Sequence, residues 1–277
     1  MEGRMRLFPE FCDRYGPWAV VAGASEGIGR AYAHILAEHG LNVITLARRV
    51  EPLEQDAELI RRRYRVEVRP VSLDLGAPDL EQQFNQIIDG LDIGMLVYNA
   101  CYSKIGEFSK MPLQHYMSTI DVNCRGPVVL AHVLAPRMIE RGRGGMIFMS
   151  SMAGFQGSAL VSTYAATKAF DTVFGESLWT ELKPHGVDVL SCVAGATETP
   201  DFLRKTPGDK KAKAFPMRPE AVAREGIQAL GKGPTRIVGG MNKTVHAASH
   251  LMSRRQATSF FSKATRDIYA SATEENA

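Results

Sequence analysis

Short apolar segments alternate with longer amphipathic segments along most of the chain. Apolar runs such as residues 18–22, 42–47 and 187–193 predict buried strands, and most of the stretches between the predicted strands show helical spacing. Strands that alternate with helices in this way form right-handed βαβ units, in which the strands are parallel. We therefore expect an α/β fold: one doubly wound domain whose parallel sheet has about seven strands and carries helices on both faces.

The predicted strands lie at residues 18–22, 42–47, 66–73, 95–98, 145–150, 187–193 and 235–238. The predicted helices lie at residues 28–39, 52–64, 79–88, 115–123 with a continuation through 128–140, 164–183 and 219–230. A length of 277 residues would allow two domains of average size. No Pro- or Ser-rich linker interrupts the series of strands, so we expect residues 1–277 to form a single domain.

Two segments depart from the alternation. Residues 197–217 contain three prolines and four lysines and predict a long loop that acts as a lid over a substrate. The lysines could attract an anionic substrate tail, or they could simply be solvated. They are Lys205, Lys210, Lys211 and Lys213. Residues 242–277 predict one C-terminal helical region with a polar end.

Charge and composition exclude several classes of protein. Lys and Arg number 33 and Asp and Glu number 30, which gives a net charge of +3. This balance lacks the positive field of a protein that binds nucleic acid, so no nucleic-acid partner is expected. No apolar run approaches the roughly 20 residues that span a bilayer. We expect a soluble cytoplasmic protein whose four scattered cysteines are reduced thiols.

A glycine-rich loop joins the first predicted strand to the first predicted helix. Gly23, Gly27 and Gly29 follow a G-x-x-x-G-x-G spacing. Glycines at this junction let the backbone approach a pyrophosphate, and the helix N-terminus adds unpaired N–H groups and a positive dipole. The loop therefore predicts a dinucleotide site in a Rossmann domain; a glycine-rich turn without a ligand is the alternative.

The end of the second strand bears on which dinucleotide is preferred. Many dinucleotide sites place an acid here, which binds the ribose 2′-hydroxyl. This chain has Ala47 followed by Arg48, and a guanidinium can bind a 2′-phosphate that a carboxylate would repel. We therefore expect NADP(H) rather than NAD(H). Asp74, after the third strand, could accept a hydrogen bond from the adenine amino group or could cap the next turn.

A tyrosine and a lysine stand one turn apart at the start of a predicted helix. Tyr164 and Lys168 therefore share a helix face. A free phenol has a pKa near 10, and a nearby ammonium lowers it, so Tyr164 could exchange a proton with a carbonyl or an alcohol. Ser151 ends the fifth predicted strand and could polarise the same substrate oxygen. A pair on a surface helix without a catalytic role is the alternative.

The motifs occur in the order that is typical of one family. The glycine loop precedes Asn99-Ala100, Asp121-Val122-Asn123, Ser151, Tyr164 with Lys168, and the segment 195–199. Over about residues 17–240 the chain resembles the short-chain dehydrogenase/reductase family. The resemblance implies that Tyr164 is the catalytic acid and base, that Lys168 binds the nicotinamide ribose and lowers the pKa of the tyrosine, and that Ser151 orients the substrate oxygen. It implies that Asn123 supports a proton relay through a helix kink and water.

The resemblance also implies the cofactor contacts and an oligomer. The cofactor contacts would be Gly23, Ser25, Gly27, Ile28, Gly29, Arg48, Asn99, Tyr164, Lys168, Thr197 and Thr199. The chain would form a homodimer or homotetramer through the helices near residues 115–140 and 164–183. The chain departs from the family pattern at Ala22, Tyr98, Cys101 and Ala194, none of which belongs to the Ser–Tyr–Lys–Asn set. The segments 98–101, 195–200 and 240–246 further resemble bacterial hydroxysteroid dehydrogenases.

The expected activity is NADP(H)-dependent interconversion of a secondary alcohol and a ketone on a hydrophobic substrate. A 3-oxoacyl reductase is the alternative among enzymes, and a regulator that senses NADP(H) without turnover is the alternative outside them. The candidate substrate contacts are Tyr102, Phe155, Phe202 and Leu203. His246 and His250 have an i, i+4 spacing but no third ligand nearby, so a subunit-contact helix is favoured and no metal is expected.

Overall fold

One parallel sheet of seven strands organises the protein. The computed structural model describes residues 8–206 and 214–269. The strands are β1 (Trp18–Ala22), β2 (Asn42–Ala47), β3 (Val68–Ser72), β4 (Ile93–Tyr98), β5 (Gly144–Ser151), β6 (Val187–Ala194) and β7 (Thr235–Ile237). Their order in the sheet is β3-β2-β1-β4-β5-β6-β7, and every neighbouring pair is parallel. The predicted doubly wound fold is confirmed.

Eleven α-helices occur in residues 8–206 and 214–269. They are α1 (Pro9–Tyr15), α2 (Gly27–Glu38), α3 (Val50–Tyr64), α4 (Leu80–Ile87), α5 (Leu113–Ile120), α6 (Gly126–Glu140), α7 (Ser162–Leu182), α8 (Pro200–Lys205), α9 (Pro219–Ala229), α10 (Gly240–Ser249) and α11 (Arg254–Tyr269). Short 3-10 helices lie at Phe108–Lys110, Met152–Phe155 and Lys183–His185, and a π-helical turn lies at Asp121–Arg125.

The sheet separates two hydrophobic cores. Alternate residues of β1 point to opposite faces: Ala19 and Val21 pack with α2, α3 and α9, whereas Val20 and Ala22 pack with α4, α6 and α7. A strand that is covered on both faces needs apolar side chains at every position, and all five residues of β1 are buried. This requirement explains why the strands occur in the sequence as continuous apolar runs.

The strand order reverses next to β1. The chain passes from β1 to β2 on one side, and later returns to place β4 on the other side. In open α/β sheets the crevice for a ligand lies at this reversal, beyond the carboxyl ends of the strands. The loops after β1, β4, β5 and β6 all leave the sheet at that edge.

The N-terminal helix α1 was not predicted. Its seven residues are too short to show a clear helical period, and long-range contacts hold it in place. Arg14 and Tyr15 both donate to the carboxylate of Asp188 on β6, at 2.6 and 2.7 Å. The helix therefore closes the end of the sheet that lies opposite the crevice.

Three other predictions of secondary structure were inaccurate. The predicted helix over 115–140 is interrupted by the π-helical turn at Asp121–Arg125. The region after residue 242 contains two helices, α10 and α11, rather than one. Residues 200–205 form α8 instead of loop, because Thr199 caps its first turn: the Thr199 Oγ1 accepts from Phe202 N at 3.2 Å. Lys210, Lys211 and Lys213 lie outside the described residues.

Cys12, Cys101, Cys124 and Cys192 form no disulfide among the described residues. In the described part of the chain, no helix combines the length and the apolar character that a membrane crossing requires.

Candidate active site

The glycine loop lies against the chain after β4 at the crevice. Gly23 has a φ of +83°, and a Cβ on it would lie 2.5 Å from the Cα of Ala100. The Asn99 amide donates to the Gly23 carbonyl oxygen at 3.0 Å and so fastens the two loops together. Asn99, predicted as a cofactor contact, thus also shapes the loop. Only glycine satisfies both the left-handed backbone and this close approach.

The first turn of α2 completes the loop. Ser25 precedes this turn, and Gly27, Ile28 and Gly29 form it. A Cβ on Gly29 would lie 2.0 Å from the Gly23 carbonyl oxygen, so the helix and the loop meet without an intervening side chain. The resulting concave backbone presents the N-terminus of α2, whose N–H groups and dipole suit a pyrophosphate.

The acid in this loop is bound by arginines from two other segments. Arg49 and Arg204 each place a guanidinium nitrogen 3.3 Å from a carboxylate oxygen of Glu26. Arg49 comes from the start of α3 and Arg204 from α8. Glu26 therefore connects the glycine loop to α8, an arrangement that sequence reasoning missed because the three residues are distant in the chain.

Arg48 lies where the sequence placed it. It follows β2 directly, its side chain is exposed, and its carbonyl oxygen accepts from the Ser72 hydroxyl at 3.0 Å. Asp74 is exposed, and its Oδ1 accepts from the Gly76 N–H at 2.9 Å, so the capping role is observed. The glycine cradle and the exposed guanidinium beyond β2 fit a dinucleotide that carries a 2′-phosphate.

The predicted tyrosine and lysine lie together beside β5. Tyr164 is in the first turn of α7, and the Lys168 Nζ lies 6.0 Å from the centre of its ring. Lys168 is buried; its ammonium donates to the Met149 carbonyl oxygen at 2.7 Å and to Asp171 at 2.9 Å. The Ser150 hydroxyl donates to the Lys168 carbonyl oxygen at 2.6 Å, which ties α7 to β5.

The pKa of Tyr164 is higher than the neighbouring lysine led us to expect. Burial raises the pKa of Tyr164 to about 12, and Cys101 contributes in the same direction. Lys168 lowers this pKa, as predicted, and Ser151 lowers it too, but burial outweighs them. The phenol is therefore held in its protonated form, as a proton donor to a carbonyl requires.

Hydrogen bonds fix both Ser151 and Asn123 in place. Ser151 ends β5, where its Oγ accepts from Ala153 N at 3.2 Å. Asn123 is fully buried in the π-helical turn. Its amide donates to the Tyr102 carbonyl oxygen and to Thr167 Oγ1, both at 3.0 Å, and accepts from Tyr102 N at 2.8 Å. From within the π-helical turn, Asn123 fixes the chain segment at Tyr102.

The last predicted cofactor contacts begin the segment after β6. The Thr197 hydroxyl donates to the Gly195 carbonyl oxygen at 3.1 Å. Thr199 caps α8, and a Cβ on Gly27 would lie 2.7 Å from the Thr199 methyl group. The structure therefore places both threonines at the crevice, with Thr199 against the phosphate loop.

The predicted substrate residues do not form one cluster of free side chains. The hydroxyl of Tyr102 bonds to His115 Nδ1 at 2.6 Å, and the ring of Phe155 packs at 4.0 Å on His246. Phe202 is half-buried on α8 and Leu203 is exposed there. Phe155 in particular is used to hold α10, which the sequence did not indicate.

The two histidines of α10 pack on each other. The rings of His246 and His250 lie 4.4 Å apart, and His250 Nδ1 bonds to the His246 carbonyl oxygen at 2.9 Å. Burial lowers the pKa of His246, and His250 lowers it further. Within residues 8–206 and 214–269, no group of three His, Cys, Asp or Glu side chains could hold a metal ion.

Two residues near the site were missed. Asp171 lies one turn after Lys168, and a buried carboxylate three positions beyond the lysine was visible as an i, i+3 pair in the sequence. Tyr269, at the end of α11, raises the pKa of Tyr164 and is therefore close to it. No local signal could have indicated this, because 105 positions separate the two tyrosines.

Sequence comparison agrees with this geometry. The model of the short chain dehydrogenase family matches residues 17–209. The chain is 35% identical over 244 residues to a 7β-hydroxysteroid dehydrogenase of Clostridium sardiniense, which covers 88% of this chain and 94% of that protein. It is 31% identical over 221 residues to the human very-long-chain 3-oxoacyl-CoA reductase, which covers 78% of this chain and 69% of that protein.

Solved structures show the same fold. A structure from work on 7β-hydroxysteroid dehydrogenase stereoselectivity superposes with a TM-score of 0.86 at 30% identity, covering 91% of this chain and 98% of that one. A short-chain dehydrogenase from Sphingobium yanoikuyae in complex with NADPH superposes with a TM-score of 0.74 at 26% identity. The superposition covers 85% of this chain and 94% of that one.

The close approach at Gly23 gives a first prediction. Gly23→Ala would force a Cβ into the backbone of Ala100 and should weaken NADPH binding, measured by nicotinamide fluorescence, by at least about tenfold. Gly90→Ala is the matched control, because Gly90 also has a positive φ but has open space around its Cβ position. The control should lose about 1 kcal/mol of stability in urea unfolding and keep its NADPH affinity. Equal binding by both variants would contradict the assigned cradle.

Proposed function

The chain belongs to the short chain dehydrogenase family, and from that premise we propose that it is an NADP(H)-dependent oxidoreductase that interconverts a secondary alcohol and a ketone. The observation that carries the proposal is the convergence of Ser151, Tyr164 and Lys168 at the sheet edge that also holds the glycine cradle. The NADPH complex of the Sphingobium relative supports the choice of cofactor.

The residues divide the chemistry in a simple way. The nicotinamide, when bound, supplies or accepts the hydride at the carbonyl carbon. In reduction, the Tyr164 hydroxyl gives its proton to the carbonyl oxygen while the Ser151 hydroxyl holds that oxygen. In oxidation, Tyr164 takes the alcohol proton back. Lys168 stabilises the phenolate that remains after reduction, and Asn123 keeps the chain at Tyr102 in place.

The glycine cradle and several polar side chains would hold the cofactor. We assign the pyrophosphate to the loop from Gly23 to Gly29, the 2′-phosphate to Arg48 and the nicotinamide ribose to Lys168. Asn99, Thr197 and Thr199 border the same crevice. Asp74 is kept as an acceptor for the adenine amino group, since only its Oδ1 is used by the cap.

For the substrate we propose a hydroxysteroid-like or another bulky hydrophobic alcohol. The 7β-hydroxysteroid dehydrogenase names of a sequence relative and of a solved structure support it. A 3-oxoacyl chain is the second candidate, which the human 3-oxoacyl-CoA reductase relative supports. A regulator that senses NADP(H) without turnover is disfavoured, because this chain carries the whole Ser–Tyr–Lys set.

We also propose a cytoplasmic homodimer or homotetramer. Apolar side chains are exposed on the three helices that the family resemblance indicates as contacts. They are Leu113, Met117 and Ile120 on α5, Val128 on α6 and Val173 on α7. An exposed apolar face of this kind favours association with a second copy.

The C-terminal helix adds a wall to the proposed substrate side. Three hydrogen bonds dock α11 on the segment between Ser151 and Tyr164: Ser158 Oγ to Thr265 at 2.7 Å, Ala159 N to Ser262 at 3.0 Å and Arg254 to the Phe155 carbonyl oxygen at 2.8 Å. These bonds fix the helix directly over the catalytic segment.

Tyr269 lies at the end of this wall. Burial raises the pKa of Tyr269, with the Asp201 carboxylate of α8 acting in the same direction. The buried Thr206 hydroxyl acts in the opposite direction, because its hydrogen bond to Tyr269 lowers this pKa. Tyr269 is half-buried, and its pKa responds to Asp201 and Thr206 at the two ends of α8, so we assign it as a contact of the substrate's apolar body.

The activity is tested by NADPH oxidation over steroid ketones, 3-oxoacyl thioesters and small ketones. The wild-type protein should turn over at least one bulky ketone. Tyr164→Phe should lower kcat by at least about 10²-fold, because the proton donor is lost, and should keep its NADPH affinity within about threefold. Turnover by Tyr164→Phe at the wild-type rate would contradict the role of the tyrosine. NADPH binding without turnover of any ketone would favour the sensor.

Cofactor preference is tested at Arg48. Arg48→Ala should weaken NADPH binding by about 10- to 100-fold, because a hydrogen-bonded ion pair to the 2′-phosphate is lost, and should leave NADH binding nearly unchanged. Arg49→Ala is the matched control, since Arg49 is the exposed neighbour that already pairs with Glu26. Stronger loss of NADPH binding in the control than in Arg48→Ala would move the phosphate contact to Arg49.

The substrate wall is tested at Tyr269. Tyr269→Ala should raise KM for the bulky ketone at least about tenfold, because apolar contact area is lost, and should change KM for a small ketone much less. Phe260→Ala changes an aromatic residue of the same helix that is 57% exposed, and it should leave both constants unchanged. An equal effect of Tyr269→Ala on both substrates would remove Tyr269 from the substrate side.

A further inference from the structure

A buried ion pair holds the lysine of the site. The Lys168 ammonium donates to Asp171 Oδ2 at 2.9 Å, and both side chains belong to α7. Lys168 is 5% exposed and Asp171 is 2% exposed. The second ammonium contact is the Met149 carbonyl oxygen on β5, at 2.7 Å. Two acceptors therefore fix the ammonium between the helix and the sheet.

Stability alone does not explain this carboxylate. Its other oxygen, Oδ1, is buried and has no hydrogen-bond partner among the described residues. A buried carboxylate that is only half satisfied loses hydration without full compensation, and apolar replacement of a buried ion pair is often neutral or stabilising. Apolar side chains at positions 168 and 171 together would therefore serve the fold as well, so the reason for the carboxylate is sought in the lysine that it pairs with.

The carboxylate faces titratable groups from three other elements. Tyr98 ends β4, Cys101 follows that strand, and Cys124 lies in the π-helical turn. Asp171 raises the pKa of all three groups, although burial is the larger cause in each case. On its own helix it faces only Lys168, the one cation of this group. Tyr98, Cys101 and Cys124 carry no positive charge, so among these groups Lys168 alone balances the negative charge of Asp171.

Burial and the Asp171 carboxylate have opposite effects on the pKa of Lys168. Burial opposes the charge of Lys168, but Asp171 reverses the effect, with further contributions from Cys101 and Tyr164, and the pKa of Lys168 is raised well above its ordinary value. The ammonium consequently stays protonated at any pH at which the enzyme would work. A buried lysine without such a partner loses its proton readily.

We propose that Asp171 is a positioning residue that acts through Lys168, holding the ammonium at one place and keeping it charged when Tyr164 titrates. The proposal rests on the role given to Lys168 in the proposed function. Asp171 does not touch the substrate or the cofactor. Its carboxylate keeps the buried Lys168 ammonium charged, so that this ammonium can stabilise the Tyr164 phenolate and donate to the ribose.

The consequence appears at alkaline pH. Asp171→Asn keeps the size and an acceptor oxygen but removes the charge. Burial then acts on Lys168 without the main group that compensates it, so the pKa of Lys168 falls into the alkaline working range and the ammonium becomes a neutral amine as the pH rises. The variant should lose NADPH affinity by about tenfold between about pH 7 and about pH 10, whereas the wild-type protein should show no such loss.

The experiment follows NADPH fluorescence across this pH range, with turnover of the ketone found above measured in parallel. Asp171→Glu keeps the charge and should keep the wild-type pH dependence. Ser191→Ala is the structural control, because the Ser191 hydroxyl bonds to the Asp171 and Thr172 carbonyl oxygens at 3.2 and 3.0 Å without contributing charge. It should lower stability in urea unfolding and leave the pH dependence unchanged. Should Asp171→Asn fail to fold, Asp171→Leu removes the same charge with a side chain that suits the buried position.

The outcomes separate the two proposals. An alkaline loss of NADPH affinity in Asp171→Asn that is absent from Asp171→Glu and Ser191→Ala supports the role of Asp171. The same pH dependence in Asp171→Asn and in the wild-type protein, or an alkaline loss shared with Ser191→Ala, overturns it. Binding needs no knowledge of the substrate, so a wild-type protein without turnover would contradict the proposed activity while the binding data still decide the role of Asp171.

Discussion

Parallel pairing of β1 with β2 on one side and with β4 on the other determines where chemistry can occur in this protein. The pairing brings the loop after β1 against the chain after β4, and Asn99 then fastens that loop through the Gly23 carbonyl oxygen. The same edge receives the ends of β5 and β6. A backbone cradle and a set of catalytic side chains can therefore face one crevice without any long connection between them.

Burial in this crevice has opposite consequences for the tyrosine and for the lysine. It raises the pKa of Tyr164 to about 12, which keeps the phenol protonated, and it would equally discharge an unpaired lysine. The two effects favour a neutral site, whereas proton transfer from a phenol requires a cation close by. Asp171 resolves this conflict, because its carboxylate compensates the desolvation of Lys168. Its Oδ1 has no hydrogen-bond partner within residues 8–206 and 214–269, as fits a group kept for its charge.

Sequence reasoning succeeded where the signal was local. The apolar runs located all seven strands, and the spacing of Tyr164 and Lys168 placed them on one face of α7. It missed α1 and α8, because helices of six or seven residues carry too little periodicity and depend on partners such as Asp188 and Thr199. It also missed Asp171, although the i, i+3 spacing was visible, because spacing alone does not reveal that both side chains are buried.

Tyr269 shows a different limit of the sequence. Its proximity to Tyr164 depends on hydrogen bonds between α11 and the segment at Ser158 and Ala159, which join parts of the chain more than 100 positions apart. The residues proposed to transfer the proton lie on β5 and the long helix α7, whereas the residues that would contact the rest of the substrate lie on α8 and α11. Relatives can therefore keep the same chemistry and change the substrate by altering only these peripheral helices. For that reason the class of reaction follows from motifs in the sheet, and the substrate must be sought in the packing of the C-terminal helix.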